Sequence, residues 1–312
     1  MAQPTILFMG TPEFALPSLE KLVERGYEIA AVVTQPDRPK GRGKHLVAPP
    51  VKVAAARWSI PVLQPQKVRD PSFLEILKQF PADLIAVAAF GQILPREVLD
   101  FPPLGCINVH PSLLPRYRGA APLNWTLING ETRTGVTIMY MDEGLDTGDI
   151  LLQEETPIGP EETFGQLHDR LAALGADLLV QAVQLLESHQ APRIPQDNSL
   201  SSYAPMLKKE HGRIRWDQEV SAIVNQIRGL SPAPCAYTLL DGKTLKIFAA
   251  RGIEQPVSGK PGQVGSGTKE GLPVTAKNGY VILKDIQMEN RKRMNASDFL
   301  RGYELLPDTV LG

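Results

Sequence analysis

The chain has 312 residues, of which 43% are hydrophobic and 21% charged, so it can bury the cores of two globular domains. It contains no segment with the length and apolarity of a membrane-spanning helix, and its first residues lack the features of an export signal. We therefore expect a cytoplasmic protein with no membrane partner.

The formal net charge of −1 is unevenly divided, because residues 206–312 hold 16 Lys and Arg against 11 Asp and Glu. This basic segment favours a polyanionic partner, although an excess of five positive charges is also within ordinary variation.

Cys106 and Cys235 are far apart in sequence, so we expect two free thiols, with one disulfide as the alternative. No group of Cys and His has the spacing of a zinc site, and no metal is expected.

The first half of the chain alternates two kinds of segment. Four short, nearly apolar runs are typical of strands buried on both faces of a parallel sheet, and three segments between them have apolar residues at helical spacing. This alternation predicts an α/β, doubly wound, Rossmann-like domain, which binds ligands at the carboxyl ends of its strands. The predicted strands are 5–9, 29–34, 84–88 and 106–110, and the predicted helices are 14–25, 51–58 and 73–80.

Further strands are predicted at 134–141 and 150–156, followed by a long amphipathic helix at 163–189. We expect a catalytic domain at 1–190, a linker at 191–205 and a C-terminal domain at 206–312. A helix at 221–228 and five short strands predict a small β-barrel of the oligonucleotide-binding type for the C-terminal domain. These strands are 237–240, 244–250, 262–264, 272–276 and 280–285.

The turn after the first strand reads Gly-Thr-Pro-Glu-Phe at 10–14. It lacks the glycine-rich run that brings backbone amides to a pyrophosphate, and Glu13 would repel a phosphate at the start of the helix. The turn therefore argues against a bound dinucleotide and against a phosphate-bearing small substrate here. Glu13 also has a simpler interpretation, as a favourable acidic residue in a first helical turn.

A basic segment follows the second predicted strand, on the ligand-binding side of the sheet. Its prolines and glycines predict an exposed loop without regular structure. Its cations could follow a phosphate backbone, and the alternative is an ordinary solvated loop. The predicted phosphate-binding residues are Arg38, Lys40, Arg42 and Lys44.

Asn108 and His110 stand at the end of the fourth predicted strand, and Asp146 lies in an acidic loop further on. An amide and an imidazole N–H can stabilise an oxyanion that develops on a carbonyl, and a carboxylate beside the histidine orients and charges it. The set includes no Ser or Cys nucleophile, which suggests direct group transfer rather than a covalent enzyme intermediate. Taken singly, the three residues could be a turn residue, a core histidine and a loop cap.

The turn after His110 and the segment at 89–94 could form opposite walls of a pocket for a flat heterocycle. The alternative for both is plain turn structure. The predicted wall residues are Ser112, Leu113, Leu114, Pro115, Phe90 and Gly91.

The run Asn-Val-His-Pro-Ser-Leu-Leu-Pro at 108–115, followed by Asp-Glu-Gly-Leu-Asp-Thr-Gly-Asp at 142–149, resembles the signature of 10-formyltetrahydrofolate-dependent formyltransferases. The resemblance covers the whole chain. It is narrowed to the family members that act on methionyl-tRNA by the segments 10–14, 36–39 and 116–122 and by the C-terminal module. The resemblance implies 10-formyltetrahydrofolate as formyl-donor substrate, initiator methionyl-tRNA as acceptor, and no metal.

By the same resemblance, Asn108, His110 and Asp146 match the family's catalytic trio, the turn 112–115 matches its folate-contacting turn, and the loop around Arg42 matches an insertion used on the acceptor end of tRNA. The free amine of the methionyl group would attack the formyl carbon, with Asn108 and His110 stabilising the oxyanion.

Two other functions stay open at this point. One is formylation of a small amine, such as glycinamide ribonucleotide or an amino-sugar nucleotide, which would not need the basic loop. The other is a non-catalytic tRNA-binding protein that uses the C-terminal barrel. We expect a monomer.

Overall fold

The computed structural model describes residues 3–40, 45–306 and 308–312. The chain divides into two units, which we describe separately. The first contains Met1–Gly119, Thr134–Thr156 and His168–Tyr203, and the second contains Ala120–Arg133, Pro157–Leu167 and Ala204–Gly312. Most of the predicted linker at 191–205 therefore clusters with the first unit.

Strands and helices alternate along the first two thirds of the chain, and strands predominate in the last third. In chain order they are β1 (Ile6–Gly10), α1 (Leu16–Glu24), β2 (Ile29–Val33), β3 (Arg38–Lys40), β4 (His45–Val47), α2 (Pro50–Arg57), β5 (Val62–Leu63), α3 (Pro71–Leu77), β6 (Leu84–Ala88), α4 (Arg96–Leu99), β7 (Cys106–His110), β8 (Arg118–Gly119), α5 (Pro122–Ile128), β9 (Arg133–Tyr140), β10 (Ile150–Pro157), α6 (Phe164–Glu187), β11 (Tyr203–Ala204), α7 (Val220–Leu230), β12 (Ala236–Leu240), β13 (Lys243–Glu254), β14 (Leu272–Ala276), β15 (Gly279–Met288), β16 (Met294–Asn295) and α8 (Ala296–Gly302). Short 3₁₀ turns cover Glu13–Ala15, Asn198–Leu200 and Lys209–Gly212.

The first unit is built on a seven-stranded sheet with the order β10-β9-β7-β6-β1-β2-β5. Strands β5, β2, β1, β6 and β7 pair in parallel, and β9 runs antiparallel to β7. The chain moves from β1 to β2 on one side and later returns to β6 on the other, so the strand order reverses at β1 and β6. Such a reversal opens a crevice at the carboxyl ends of the strands.

The central strands are buried on both faces, which explains their continuous apolar sequence. The side chains of Ile6, Leu7, Phe8 and Met9 in β1 have no exposed surface. The predicted doubly wound α/β domain is confirmed. No helix in the described ranges is long and apolar enough to cross a membrane.

The predicted irregular basic loop is partly wrong. Residues on either side of 41–44 form a short antiparallel hairpin, in which Arg38 pairs with Val47 and Lys40 with His45. Pro39 is compatible with this hairpin because a proline is tolerated on an edge strand, where no ladder hydrogen bond is required of it. Composition alone could not show this pairing.

The second unit holds a small β-barrel, as predicted. Strands β12, β13, β15 and β14 pair antiparallel in that order, and β16 adds to β15. The predicted strand 262–264 is wrong, because these residues form only isolated bridges, Gln263 with Val310 and Val264 with Val274. Those bridges and two backbone hydrogen bonds between Leu239 and Gly312 close the ring from β14 back to β12.

Helix α7 supplies apolar side chains to the core of this unit. Ile223 and Ile227 of α7 are buried in one cluster with residues of the barrel strands. Helix α5 packs on α7, and the buried amide of Asn124 donates to the carbonyl of Gly229. Gly229 allows this approach because a Cβ there would lie 2.8 Å from Ile128.

Both cysteines are free and buried, as expected for two reduced thiols. Burial raises the pKa of Cys106 to about 12 and that of Cys235 to about 11. The thiolate is the reactive form of cysteine. Neither cysteine should therefore react with dithiobis(nitrobenzoate) in the folded protein at pH 8, whereas both should react in guanidinium chloride. Rapid release of thionitrobenzoate from the folded protein would contradict this prediction.

Candidate active site

Asn108 and His110 lie on one face of β7, since side chains alternate along a strand. Val109 between them points to the other face, where a Cβ on Gly175 of α6 would lie 2.7 Å from its side chain. Asn108 is half-buried, and in the described part of the chain its amide makes no hydrogen bond. Its N–H donors are therefore available to a bound molecule.

His110 is buried and its ring orientation is fixed from one side. Nε2 lies 3.0 Å from the carbonyl oxygen of Tyr117. A carbonyl only accepts hydrogen bonds, so Nε2 must carry a proton and donate it. The other ring nitrogen, Nδ1, faces Asp146, and Nδ1 is therefore the position at which the ring can exchange a proton.

Asp146 is held close to the imidazole by the backbone. Its Oδ2 accepts a 2.8 Å hydrogen bond from the N–H of Gly119, while Oδ1 lies 3.7 Å from Nδ1 of His110. The second distance is longer than a hydrogen bond. Asp146 itself has a φ of +53°, in the left-handed region that Asp enters more readily than most residues. The predicted trio is thus brought together at the carboxyl end of β7.

The loop around Asp146 is organised by its own polar groups. Asp142 accepts hydrogen bonds from the N–H of Gly144 and from the hydroxyl of Thr147. Gly148 passes so close to the Tyr140 carbonyl that a Cβ would collide with it. Gln196 donates to the carbonyls of Asp146 and Gly148 from outside the loop.

The predicted folate-contacting turn follows His110 directly, and the side chain of its predicted wall residue Ser112 is buried within the turn. Ser112 has no exposed surface, and its hydroxyl donates to the Arg116 carbonyl at 2.7 Å. A buried hydroxyl needs an internal partner, and the Ser112 hydroxyl finds its partner within the turn. Leu114 is also buried, whereas Leu113 and Pro115 are partly exposed beside the trio.

A hydrogen-bond network on Thr137 ties this turn to the sheet. The Thr137 hydroxyl donates to the Ser112 carbonyl at 2.6 Å and accepts from the N–H of Leu114 at 3.2 Å. Gln153 donates to the carbonyl of Leu114 at 3.0 Å. These hydrogen bonds hold the turn in one conformation against the sheet.

Phe90 and Gly91 follow β6 at the neighbouring strand end. The Phe90 ring is buried, and its carbonyl accepts hydrogen bonds from Thr11 and Gln35, which follow β1 and β2. Gly91 is exposed with a φ of +84°, and nothing lies within 4 Å of a Cβ built on it. The accessible part of this predicted wall is thus the backbone of Gly91 rather than the Phe90 ring.

The basic hairpin is anchored at its base by Asp37. This carboxylate accepts hydrogen bonds from Gln64 at 2.7 Å and from Lys52 at 2.9 Å, and these two contacts lower the pKa of Asp37. Arg38 is exposed and donates to Gln35 at 3.2 Å. Lys40 ends β3, and the predicted tRNA-binding residues Arg42 and Lys44 lie outside the described residues.

Three groups near the trio were missed from the sequence. They are the carbonyl of Tyr117, the N–H of Gly119 and the side chain of Gln196. The first two are backbone groups, which carry no residue-type signal. Gln196 lies in a Pro-, Ser- and Asn-containing stretch that indicates a linker, so no signal in the sequence could have found it.

Comparison with known families identifies the class of protein. Residues 4–183 match the family model described as formyl transferase, and residues 206–304 match the model described as formyl transferase, C-terminal domain. Both units of the fold therefore contain segments characteristic of formyl transferases, and the chain is an enzyme of that class.

Similar proteins narrow this class. The chain is 78% identical to a methionyl-tRNA formyltransferase from Syntrophus aciditrophicus, and the match covers 100% of both chains. It is 54% identical to one from Geobacter sulfurreducens, covering 100% of this chain and 98% of the relative. The chain belongs to the family of methionyl-tRNA formyltransferases.

Solved structures share the fold at low identity. HypX from Aquifex aeolicus, solved with tetrahydrofolic acid, matches 99% of this chain with a TM-score of 0.67 and 18% identity, and the chain covers 51% of that protein. An N-formyltransferase from Helicobacter canadensis, solved with folinic acid and dTDP-3-aminofucose, matches 92% of this chain with a TM-score of 0.69 and 20% identity, and is covered completely. These likenesses bear on the fold alone.

Proposed function

We propose that this enzyme transfers the formyl group of 10-formyltetrahydrofolate to the free amine of initiator methionyl-tRNA at Asn108, His110 and Asp146, giving formylmethionyl-tRNA for translation initiation. Formyl transfer to methionyl-tRNA is the reaction that names its family. The observation that supports this site is the arrangement of a fixed, buried His110 between the Tyr117 carbonyl and Asp146, beside the unpaired amide of Asn108.

The reaction forms one bond from the methionyl nitrogen to the formyl carbon and breaks the bond from that carbon to N10 of the folate. Negative charge develops on the formyl oxygen in the tetrahedral intermediate. Asn108 donates an N–H to this oxygen. His110 can donate only from Nδ1, because its Nε2–H is committed to Tyr117.

Proton transfer completes the reaction. The attacking amine becomes positively charged as it bonds to carbon and must lose a proton, while N10 must gain one as it leaves. Asp146 faces Nδ1 of His110 at 3.7 Å, so its carboxylate can accept the first proton and return it to N10, as in general acid–base catalysis. No covalent enzyme intermediate is required.

The substrates are assigned to neighbouring surfaces. Leu113, Pro115 and the backbone of Gly91 are the accessible parts of the predicted folate walls. The basic hairpin β3–β4 follows β2 on the ligand-binding edge of the sheet, so we assign its cations to the phosphates of tRNA. A cytoplasmic location and a monomeric state belong to the same proposal.

Salt should distinguish a tRNA substrate from a small amine. Four phosphate contacts would make kcat/KM for methionyl-tRNA fall on the order of 100-fold between 50 and 200 mM salt, because counterions are released on binding. The measurement is initial rate against methionyl-tRNA concentration at each salt concentration, with the folate donor saturating. A nearly flat dependence, together with faster formylation of an amino-sugar nucleotide, would contradict the proposal.

A further inference from the structure

The carboxamide of Gln196 is completely engaged between two parts of the candidate site. Its Nε2 donates to the carbonyl of Asp146 at 2.9 Å and to that of Gly148 at 2.7 Å. Its Oε1 accepts from Nε of Arg118 at 3.1 Å and from Nη2 at 2.6 Å. Carbonyls only accept and a guanidinium only donates, so the partners allow one orientation of the amide.

We propose that Gln196 is a positioning residue for formyl transfer, holding the Asp146 loop at the distance from His110 that the reaction uses. This inference rests on the proposed function. Gln196 bonds to the backbone on both sides of Thr147 and therefore fixes the path of the chain at Asp146, whose side chain does the chemistry. Loop residues 142–145 are exposed, so burial contributes little to fixing this part of the loop.

Ser202, which follows Gln196 in the chain, contacts the hydrogen-bond partner of His110, which is Tyr117. The Ser202 hydroxyl accepts the N–H of Tyr117 at 2.9 Å, and the Ser202 carbonyl accepts the N–H of Arg118 at 2.9 Å. Tyr117 has a φ of +60° and presents its carbonyl to His110. Gln196 therefore constrains Asp146 on one side of the imidazole, and Ser202 constrains Tyr117 on the other.

Gln196→Glu tests this role with almost no change of shape. The carboxylate still accepts from Arg118, but it cannot donate to the two loop carbonyls and repels them. We expect kcat to fall roughly 10- to 100-fold, because a misplacement of about 1 Å can have that effect. The KM values for 10-formyltetrahydrofolate and methionyl-tRNA and the melting temperature should change little.

Asp197→Asn is the matched control, because Asp197 is the next residue along and its hydrogen bonds go to Ser199. It should retain kcat within about twofold. A role through Asp146 also predicts non-additivity: in an Asp146→Asn background, Gln196→Glu should lower kcat by no more than about twofold further. Unchanged kcat in the single variant, or the full loss in the Asp146→Asn background, would overturn the inference.

Hydrogen exchange provides a readout that does not depend on the substrate. Amides at 142–149 should exchange faster in Gln196→Glu than in the wild-type enzyme, while those of β7 stay protected. Unchanged exchange in the loop would overturn the positioning role even if the acceptor were not methionyl-tRNA. Failure of the wild-type enzyme to formylate methionyl-tRNA would instead overturn the proposed function.

Discussion

Replacing Asn108 with alanine is expected to lower the rate of formyl transfer by about 10²–10³-fold, the typical effect of removing one oxyanion donor. Asn108 is half-buried at the end of β7 and has no internal partner among the described residues. Its loss should therefore affect the transition state more than the folded protein. The measurement is kcat with both substrates saturating, accompanied by a melting curve.

An exposed asparagine provides the control for Asn108→Ala. Asn295 precedes α8 and makes no capping hydrogen bond with its side chain. Asn295→Ala should keep kcat within about twofold. Turnover close to wild type in Asn108→Ala, with both substrates saturating, would remove Asn108 from the proposed oxyanion site.

Replacing Asp146 with asparagine is expected to lower kcat by roughly 10²–10⁴-fold, the range that general acid–base groups contribute. The asparagine can still accept the N–H of Gly119 through its carbonyl oxygen, so the loop retains its anchor. It loses the negative charge that faces Nδ1 of His110 and cannot carry a proton between the amine and N10. Steady-state kcat at several pH values measures this loss.

Glu143→Gln is the matched control for charge in the same loop. Glu143 is exposed and has no ion pair or hydrogen bond in the described part of the chain. Its neutralisation should leave kcat within about twofold. An equal loss in both variants would mean that loop charge in general, rather than Asp146 in contact with His110, supports the reaction.

The sequence predicts the position of Asn108 and His110 because the physics there is local. An apolar run of strand length must be buried in a sheet, and its carboxyl end must reach the ligand-binding edge. The side-chain alternation of β7 then places both residues on one face. The alternation of strands and helices predicts a doubly wound sheet, but it does not predict the order of the strands within it.

The groups that fix the trio could not be predicted in the same way. Tyr117 at a φ of +60° and the N–H of Gly119 act through the backbone, and their conformation depends on tertiary contacts with Ser202 and Asp146. The pattern of residue types at 112–115 also does not show whether the hydroxyl of Ser112 points inward. Its partner, the Arg116 carbonyl, is defined only by the folded turn.

Closure of the C-terminal barrel is another feature that periodicity cannot show. The ring is completed by isolated pairs such as Gln263 with Val310 and Leu239 with Gly312, which join segments with no strand pattern of their own. Likewise, the hairpin at Arg38–Lys40 pairs through only three residues on each side. Short pairings of this kind are too brief for alternation to be recognised.

The most direct test of the proposed site is transfer of a labelled formyl group from 10-formyltetrahydrofolate to initiator tRNA. We predict that the wild-type enzyme formylates methionyl-tRNA but not the uncharged tRNA, and that Asn108→Ala transfers the label about 10²–10³-fold more slowly under the same conditions. Equal labelling of charged and uncharged tRNA, or a wild-type rate in the variant, would contradict formyl transfer to the methionyl amine at this strand end.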